Sequence, residues 1–115
     1  MSHWGSNSYD VVEGWTSRLD FQLLSCGLSF VIQASTAHIV TPLLVNAKGE
    51  EIATSSGDVT IVTAACGEVG YTPSTCGTFV AADEPYRLRF RVEDSNGLFA
   101  YFPNSEPFTI AVRSA

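Results

Sequence analysis

The chain has 115 residues, of which 45% are hydrophobic and 16% are charged, a length and balance that suit one domain with one hydrophobic core. Its 12 acidic and 6 basic side chains give a net charge of −6, which argues against nucleic-acid binding because such binding needs clustered Lys and Arg. No run of residues approaches the roughly 18 apolar residues of a membrane-spanning helix, so we predict neither a nucleic-acid nor a membrane partner.

Residues 1–14 are predicted to be an N-terminal arm that precedes one domain over residues 15–115. The arm is polar, follows no sustained period, and lacks the basic and then apolar order of a secretory signal. It nevertheless carries two large aromatic residues, Trp4 and Tyr9, which favour a protein surface over water. We therefore expect the arm to dock onto a partner.

A period of two begins at Trp15, from which apolar and polar side chains alternate up to Leu23. Further short apolar or alternating runs follow, separated by turn sequences. These runs are 28–35, 37–45, 50–54, 59–63, 68–72, 86–93, 98–102 and 108–114. No segment keeps a helical period for long, and one helical turn is expected within 74–84. The sequence thus predicts an all-β antiparallel sandwich of seven or eight short strands with one short helical turn.

The run at 86–93 alternates most regularly, and it places three of the six basic residues on one face of a strand. These residues are Arg87, Arg89 and Arg91. One interpretation is a solvated outer face whose arginines have acidic partners on neighbouring strands. The alternative is a local basic stripe.

No sequence pattern of an enzyme, a cofactor site or a metal site is found. His38 lies in an apolar run without a matched acid and nucleophile. Glu50-Glu51 and Asp83-Glu84 are adjacent carboxylates, which point apart on a strand or turn. We expect no catalytic residue, no cofactor and no bound metal.

The three cysteines, Cys26, Cys66 and Cys76, form no CxxC motif and are far in sequence from both histidines. Without a secretory signal, reduced thiols are the default expectation. Cys66 and Cys76 both adjoin glycine in predicted turns, so a disulfide between them is the alternative if the fold brings them within reach.

The C-terminal half holds more large aromatic residues than one face of the predicted sheet needs. Some of them are therefore expected on the outer surface, as anchors for another protein. The candidate interface residues are Trp4, Tyr9, Trp15, Phe99, Tyr101, Phe102 and Phe108. A different use of such residues is a sugar-stacking platform, for which the candidates are Trp15, Tyr71, Tyr101 and Phe102.

Three segments, Gly67–Pro73, Tyr86–Val92 and Gly97–Asn104, occur in an order that resembles a family of small immunoglobulin-like domains of tailed-bacteriophage structural proteins. The best-known members are the N-terminal domains of upper baseplate proteins. The resemblance covers about residues 15–113, and its most specific element is Phe102-Pro103-Asn104 after the hairpin. The sequence departs from the family pattern at 26–36.

This resemblance implies an immunoglobulin-like sandwich that functions through its surfaces, with no catalytic residues to carry over. The implied protein is a non-enzymatic virion component, assembled in the host cytoplasm, that binds neighbouring virion proteins in a symmetric, multi-copy assembly. We favour a capsid decoration or accessory role for a module that stands alone. The alternatives are a tail, neck or baseplate component and, in another class, a soluble carbohydrate-binding module.

Overall fold

The computed structural model describes residues 8–25, 28–29, 38–63, 67–94, 96–103 and 106–114. In these residues the chain forms eleven strands, eight of which are at least four residues long, and two short 3-10 turns, Ser56–Asp58 and Ala81–Asp83. The strands are β1 (Ser8–Val12), β2 (Leu19–Gln22), β3 (Leu24–Ser25), β4 (Leu28–Ser29), β5 (Ile39–Val45), β6 (Glu51–Ile52), β7 (Val59–Thr63), β8 (Glu68–Tyr71), β9 (Tyr86–Glu93), β10 (Phe99–Phe102) and β11 (Phe108–Arg113). The predicted all-β sandwich is confirmed.

Two sheets build the sandwich. The larger has the strand order β1-β11-β9-β5-β6, with β10 also paired to β9, and the smaller has the order β2-β8-β7; β3 and β4 form a separate two-stranded ribbon. The pairs are antiparallel except for β1 and β11, which are parallel. In an immunoglobulin-type sandwich, strands B, E and D form one sheet and strands C, F and G the other. Here β2, β8 and β7 correspond to strands B, E and D of the first sheet. In the second sheet, β5 and β9 correspond to strands C and F, and β10 together with β11 corresponds to strand G.

The core lies between the inner faces of the two sheets, and side-chain alternation selects its members. On β9, Tyr86, Leu88, Phe90 and Val92 are buried, while the residues between them face outward. Phe21 of the smaller sheet crosses the interface, with its ring centroid 5.4 Å from that of Phe90. The other core residues are Val11, Leu23, Val40, Leu44, Val69, Tyr71, Phe79, Phe102, Phe108, Ile110 and Val112.

The corner that leads into β9 is held by the Tyr86 hydroxyl. This oxygen accepts a hydrogen bond from the Val80 backbone N–H at 3.0 Å, and the Tyr86 ring packs edge-on against Phe79 at 5.2 Å. Immunoglobulin domains use a tyrosine at the start of strand F in this way, two residues before a disulfide-bonded cysteine. Buried Leu88 occupies that cysteine position here, so packing rather than a disulfide joins the sheets at this point.

A tight hairpin joins β9 to β10. The Asp94 N–H donates to the Leu98 carbonyl at 2.8 Å, and the Asp94 carboxylate accepts from the Asn96 and Leu98 N–H groups at 2.9 and 3.0 Å. Gly97 has φ +82°, a left-handed conformation that favours glycine. The predicted turn is therefore confirmed.

Strands β10 and β11 both pair with β9, but extra chain lies between them. Phe102 is opposite Phe90 and Phe108 is opposite Leu88. Between these two pairs, the segment from β10 to β11 advances by six residues, whereas β9 advances by two. The chain between these two pairs is therefore four residues longer than the matching stretch of β9.

The structure corrects the boundary of the predicted arm. Ser8–Val12 is a strand paired with β11; Val11 is buried, and Tyr9 packs against the core 4.6 Å from the Phe21 ring. Trp15 is half-buried against the same core, and its indole N–H donates to the Ser17 carbonyl at 2.9 Å. Trp4 lies outside the described residues.

If β1 is part of the domain, truncating Val11 should cost stability and truncating its neighbour should not. We expect Val11→Ala to lower the free energy of unfolding by about 2 kcal/mol, because it removes buried methyl groups and leaves a cavity. Val12→Ala, at a position 40% exposed, is the matched control and should change it by less than about 0.5 kcal/mol. Denaturant unfolding measures both, and equal effects would contradict the placement of β1.

The free energy of unfolding should also fall as the pH rises from about 10 to about 12. Burial, with a smaller contribution from Asp58, raises the pKa of Tyr71 to about 12. An unfolded tyrosine ionises near pH 10, so between about pH 10 and 12 the unfolded state loses a proton that the folded state keeps. The contribution of Tyr71 to the free energy of unfolding is thus complete below about pH 10. Roughly 2–3 kcal/mol of this free energy is lost as the pH rises to about 12.

Urea unfolding across this range checks the alkaline prediction. We expect Tyr71→Phe to make the decline with pH shallower but not flat, because burial also raises the pKa of Tyr9 and of Tyr86. Tyr101→Phe, at an exposed position, serves as the control and should decline as the native chain does. An unchanged slope in Tyr71→Phe would exclude this residue as a cause.

Candidate functional site

The outer face of the larger sheet is built from residues that alternate with the core. On β9 this places Arg87, Arg89, Arg91 and Glu93 outward. Pairing aligns neighbouring strands in rows across this face. Ile39, Glu93 and Phe99 form one row, and Thr41, Arg91 and Tyr101 form the next.

Large apolar side chains cluster at one end of this face. Ile39 and Phe99 are each 51% exposed, and Tyr101 is 40% exposed. We call these three residues the aromatic patch. The Phe99 and Tyr101 rings meet edge-to-face with centroids 5.6 Å apart. Leu98, at 70% exposure, adjoins the patch in the hairpin turn. Such a cluster is more typical of a contact surface than of a solvated sheet face.

Arg91 holds the aromatic patch in place. Its guanidinium carbon lies 4.3 Å from the centroid of the Phe99 ring, and its Nη2 atom lies 3.6 Å from a Glu93 carboxylate oxygen. The Arg91 Nε is buried and has no hydrogen-bond partner among the described residues. A cation over an aromatic ring at a partly exposed site contributes about 0.5–1 kcal/mol. The arginine therefore restricts the Phe99 ring, and Glu93 offsets part of the positive charge.

The other end of the outer face holds a groove of about 700 Å³ between β9, β5 and the 51–54 segment. Its charged lining is Arg87, Arg89 and Glu51, and its apolar lining includes Leu43 and Pro107. The groove is thus mixed in charge. Arg91 pairs with Glu93 of its own strand rather than with an acid on a neighbouring strand, and Arg87 and Arg89 line the groove together with Glu51. Both interpretations of the arginines therefore stay predictions.

The structure separates the predicted interface residues into groups. Phe99 and Tyr101 are exposed together on the outer face, while Tyr9 and Trp15 are half-buried against the core. Phe102 and Phe108 are corrected: they are 7% and 5% exposed and point into the core, because they alternate with outward residues on β10 and β11. Trp4 lies outside the described residues.

The sugar-stacking platform is not assembled. Tyr71 is buried at 1% exposure and Phe102 at 7%, while Trp15 is half-buried and bonded to Ser17. Of the four candidates, Tyr101 alone presents its ring on the outer face of the larger sheet. The platform prediction fails because strand alternation turns Tyr71 and Phe102 inward.

Sequence reasoning missed Ile39 and the stacking of Arg91 on Phe99. The sequence shows that arginines alternate on β9 and that aromatic residues alternate on β10. It does not show which residues of the two strands lie opposite each other. The turn at Asp94–Leu98 fixes that register, so a prediction of the turn with its closing bond would have placed Phe99 opposite Glu93.

The chemical inventory of the site is modest. Over the part of the chain that the structure describes, no group of His, Cys, Asp and Glu side chains is arranged to hold a metal ion. Cys76 carries a free, exposed thiol. Cys66, its partner in the alternative disulfide prediction, and Cys26 both lie outside the described residues. Among the described residues, no helix is long and apolar enough to cross a membrane.

Comparison with known proteins gives no match: no protein family, no curated protein and no solved structure matches this chain.

Proposed function

We propose that the chain is a non-enzymatic structural protein of a bacteriophage virion, an immunoglobulin-like module that binds neighbouring virion subunits and acts as a capsid decoration or accessory protein. The observation that supports binding is the aromatic patch. Its three residues, Ile39, Phe99 and Tyr101, are each at least 40% exposed on one face of the larger sheet. Apolar side chains that stay in water add nothing to the free energy of folding. A partner that covers them makes binding more favourable, because their apolar surface is then buried.

The patch is already ordered for binding. Phe99 is restrained by Arg91 and Tyr101, and β10 is anchored to the core by buried Phe102. Side chains that are restrained before binding lose less conformational entropy when a partner covers them. Tyrosine and arginine, here Tyr101 and the adjoining Arg91, are also residue types enriched among binding hot spots.

The virion context comes from the sequence resemblance. Its residues are mainly those that build the fold: Tyr86 holds the corner before β9, and Phe102 lies in the core at the end of β10. The resemblance therefore supports the fold and the virion context, and the aromatic patch is the proposed contact surface for a neighbouring subunit. A tail, neck or baseplate component would use the same surface at another place in the virion.

A soluble carbohydrate-binding module is the second candidate, and the groove favours it. Its volume of about 700 Å³ lies within the roughly 300–1,000 Å³ of small-molecule sites, and Glu51, Arg87 and Arg89 offer hydrogen-bonding groups. The aromatic patch is not part of the groove lining, so sugar binding in the groove would leave its exposure unexplained. We therefore prefer protein binding.

A matched pair of surface substitutions tests the aromatic patch. Tyr101 and Ile61 are both 40% exposed, on opposite sheets. We expect Tyr101→Glu to reduce incorporation into virions at least tenfold, because a charge is placed where a partner buries a ring, while Ile61→Glu should leave incorporation near the native level. Quantitative immunoblots of purified virions measure both variants. Equal incorporation would overturn the role of the patch.

Immunogold electron microscopy of the parent virion, with antibody to this chain, tests the proposed place. We expect gold over the head, at many copies per particle. Gold at the neck or tail tip would replace the decoration role with the baseplate-type role. Absence of gold from purified virions, with the chain present in infected cells, would overturn the virion proposal and favour the carbohydrate module, for which a glycan-array screen is the direct assay.

A further inference from the structure

Two arginines of β9 line the groove side by side. Arg87 and Arg89 are both outward residues of the strand, and both belong to the groove lining. Because side chains repeat on one face every second residue, at about 3.3 Å of rise per residue, the Cβ atoms of this pair are roughly 7 Å apart. Among the described residues, no carboxylate forms an ion pair with Arg87. The groove thus carries two cations whose spacing is set by the strand.

Apolar side chains lie beside both arginines. The pairing of β5 with β9 sets Leu43 opposite Arg89 and Val45 opposite Arg87. Leu43 is 38% exposed, and Pro107, the residue before β11, also lines the groove. A ligand that lies here therefore meets charged groups and apolar surface together, which is typical of a binding site.

The groove is positively charged on an acidic molecule. Its charged lining consists of two arginines and Glu51, a net charge of +1, whereas the chain as a whole carries −6. Glu51 is opposite Val45, and Val45 is opposite Arg87, so two strand spacings, about 10 Å, separate the backbones of Glu51 and Arg87. Charges separated by more than about 8 Å are largely screened at physiological ionic strength. An anion beside Arg87 is therefore attracted by the arginines more than it is repelled by Glu51.

The size of the groove and the spacing of its arginines favour an extended chain over a single small anion. A volume of about 700 Å³ far exceeds that of one carboxylate group. A peptide in the extended conformation has the same side-chain period as β9, so its carboxylates two residues apart are also roughly 7 Å apart. Each carboxylate can then accept two N–H bonds from one guanidinium group, which is the strongest form of this pairing.

We propose that the groove binds an extended acidic segment of a partner protein, in which Asp or Glu side chains at alternating positions pair with Arg87 and Arg89. The apolar atoms of the segment pack on Leu43. The inference does not rest on the proposed function, because the groove and the aromatic patch share no residue and different substitutions test them.

Two peptides of identical composition test the spacing. One contains Glu-Ser-Glu and the other Glu-Glu-Ser, each between Gly-Ser repeats and with a fluorescein label, and fluorescence anisotropy measures their binding to the intact chain. We expect the alternating peptide to bind at least about threefold more tightly, because adjacent side chains of an extended chain point to opposite sides. Equal affinity of the two peptides, or no binding of either, would overturn the proposal.

A matched pair of arginine substitutions tests the place of binding. Arg87 and Arg113 are both exposed on the larger sheet, but only Arg87 lines the groove. We expect Arg87→Gln to weaken binding of the alternating peptide about fivefold, because a charge-assisted pair is lost. Arg113→Gln should change the affinity by less than about twofold, because its charge is screened at that distance. Equal effects would show that binding follows net charge alone, which would overturn the proposal.

Removal of the acid in the groove should have the opposite sign. We expect Glu51→Gln to tighten binding of the alternating peptide, since it removes the negative charge from the lining. An unchanged or weaker affinity would contradict the predicted position of the peptide. A neutral glycan that binds the native chain but not Arg87→Gln, with neither peptide bound, would assign the groove to carbohydrate and overturn the proposal.

Discussion

Strand β9 is the constraint on which the rest of the molecule depends. It pairs with β5 from Arg87 to Glu93 on one side, and with β10 and β11 on the other. Its inner residues Tyr86 and Phe90 fill the core, and its outer residues include Arg91. Because side chains alternate strictly, a slip of one residue would exchange these two sets and place arginines in the core. The sequence of this strand therefore determines both the packing of the sandwich and the chemistry of its outer face.

The two ends of the outer face differ because β9 has different neighbours along its length. Opposite Glu93 and Arg91 it meets the aromatic strand β10, so cationic and aromatic side chains stack. Opposite Arg87 it meets Thr109 of β11, which has no aromatic ring, and on the β5 side Arg87 and Arg89 line the groove. The four extra residues between β10 and β11 allow both neighbours to keep their apolar residues inward. The outer face thus has an aromatic end beside β10 and a groove of mixed lining beside β5.

The fold was more accessible from sequence than the site. Alternation at Tyr86–Val92 and the turn residues at Asp94–Gly97 are local signals, and both are confirmed in the structure. The strand at Ser8–Val12 was missed because its polar residues resemble an arm, and only pairing with a distant strand buries Val11. Phe102 was assigned to the surface for a related reason: composition reveals a surplus of aromatic residues, whereas register decides which of them are exposed. Properties that depend on contacts between distant segments were thus the ones that the sequence did not reveal.

The pairing of β1 with β11 has a consequence for how the chain acquires its structure. Ser8 and Thr109 are partners across 101 intervening steps of sequence, so this edge of the larger sheet cannot close until the last strand has left the ribosome. Loop closure over such a separation is slow compared with hairpin formation. We infer that the β9–β10 hairpin forms early and that β1 is the last strand to dock. Until β1 docks, the new chain exposes the edge of β11, for which β1 competes with neighbouring chains.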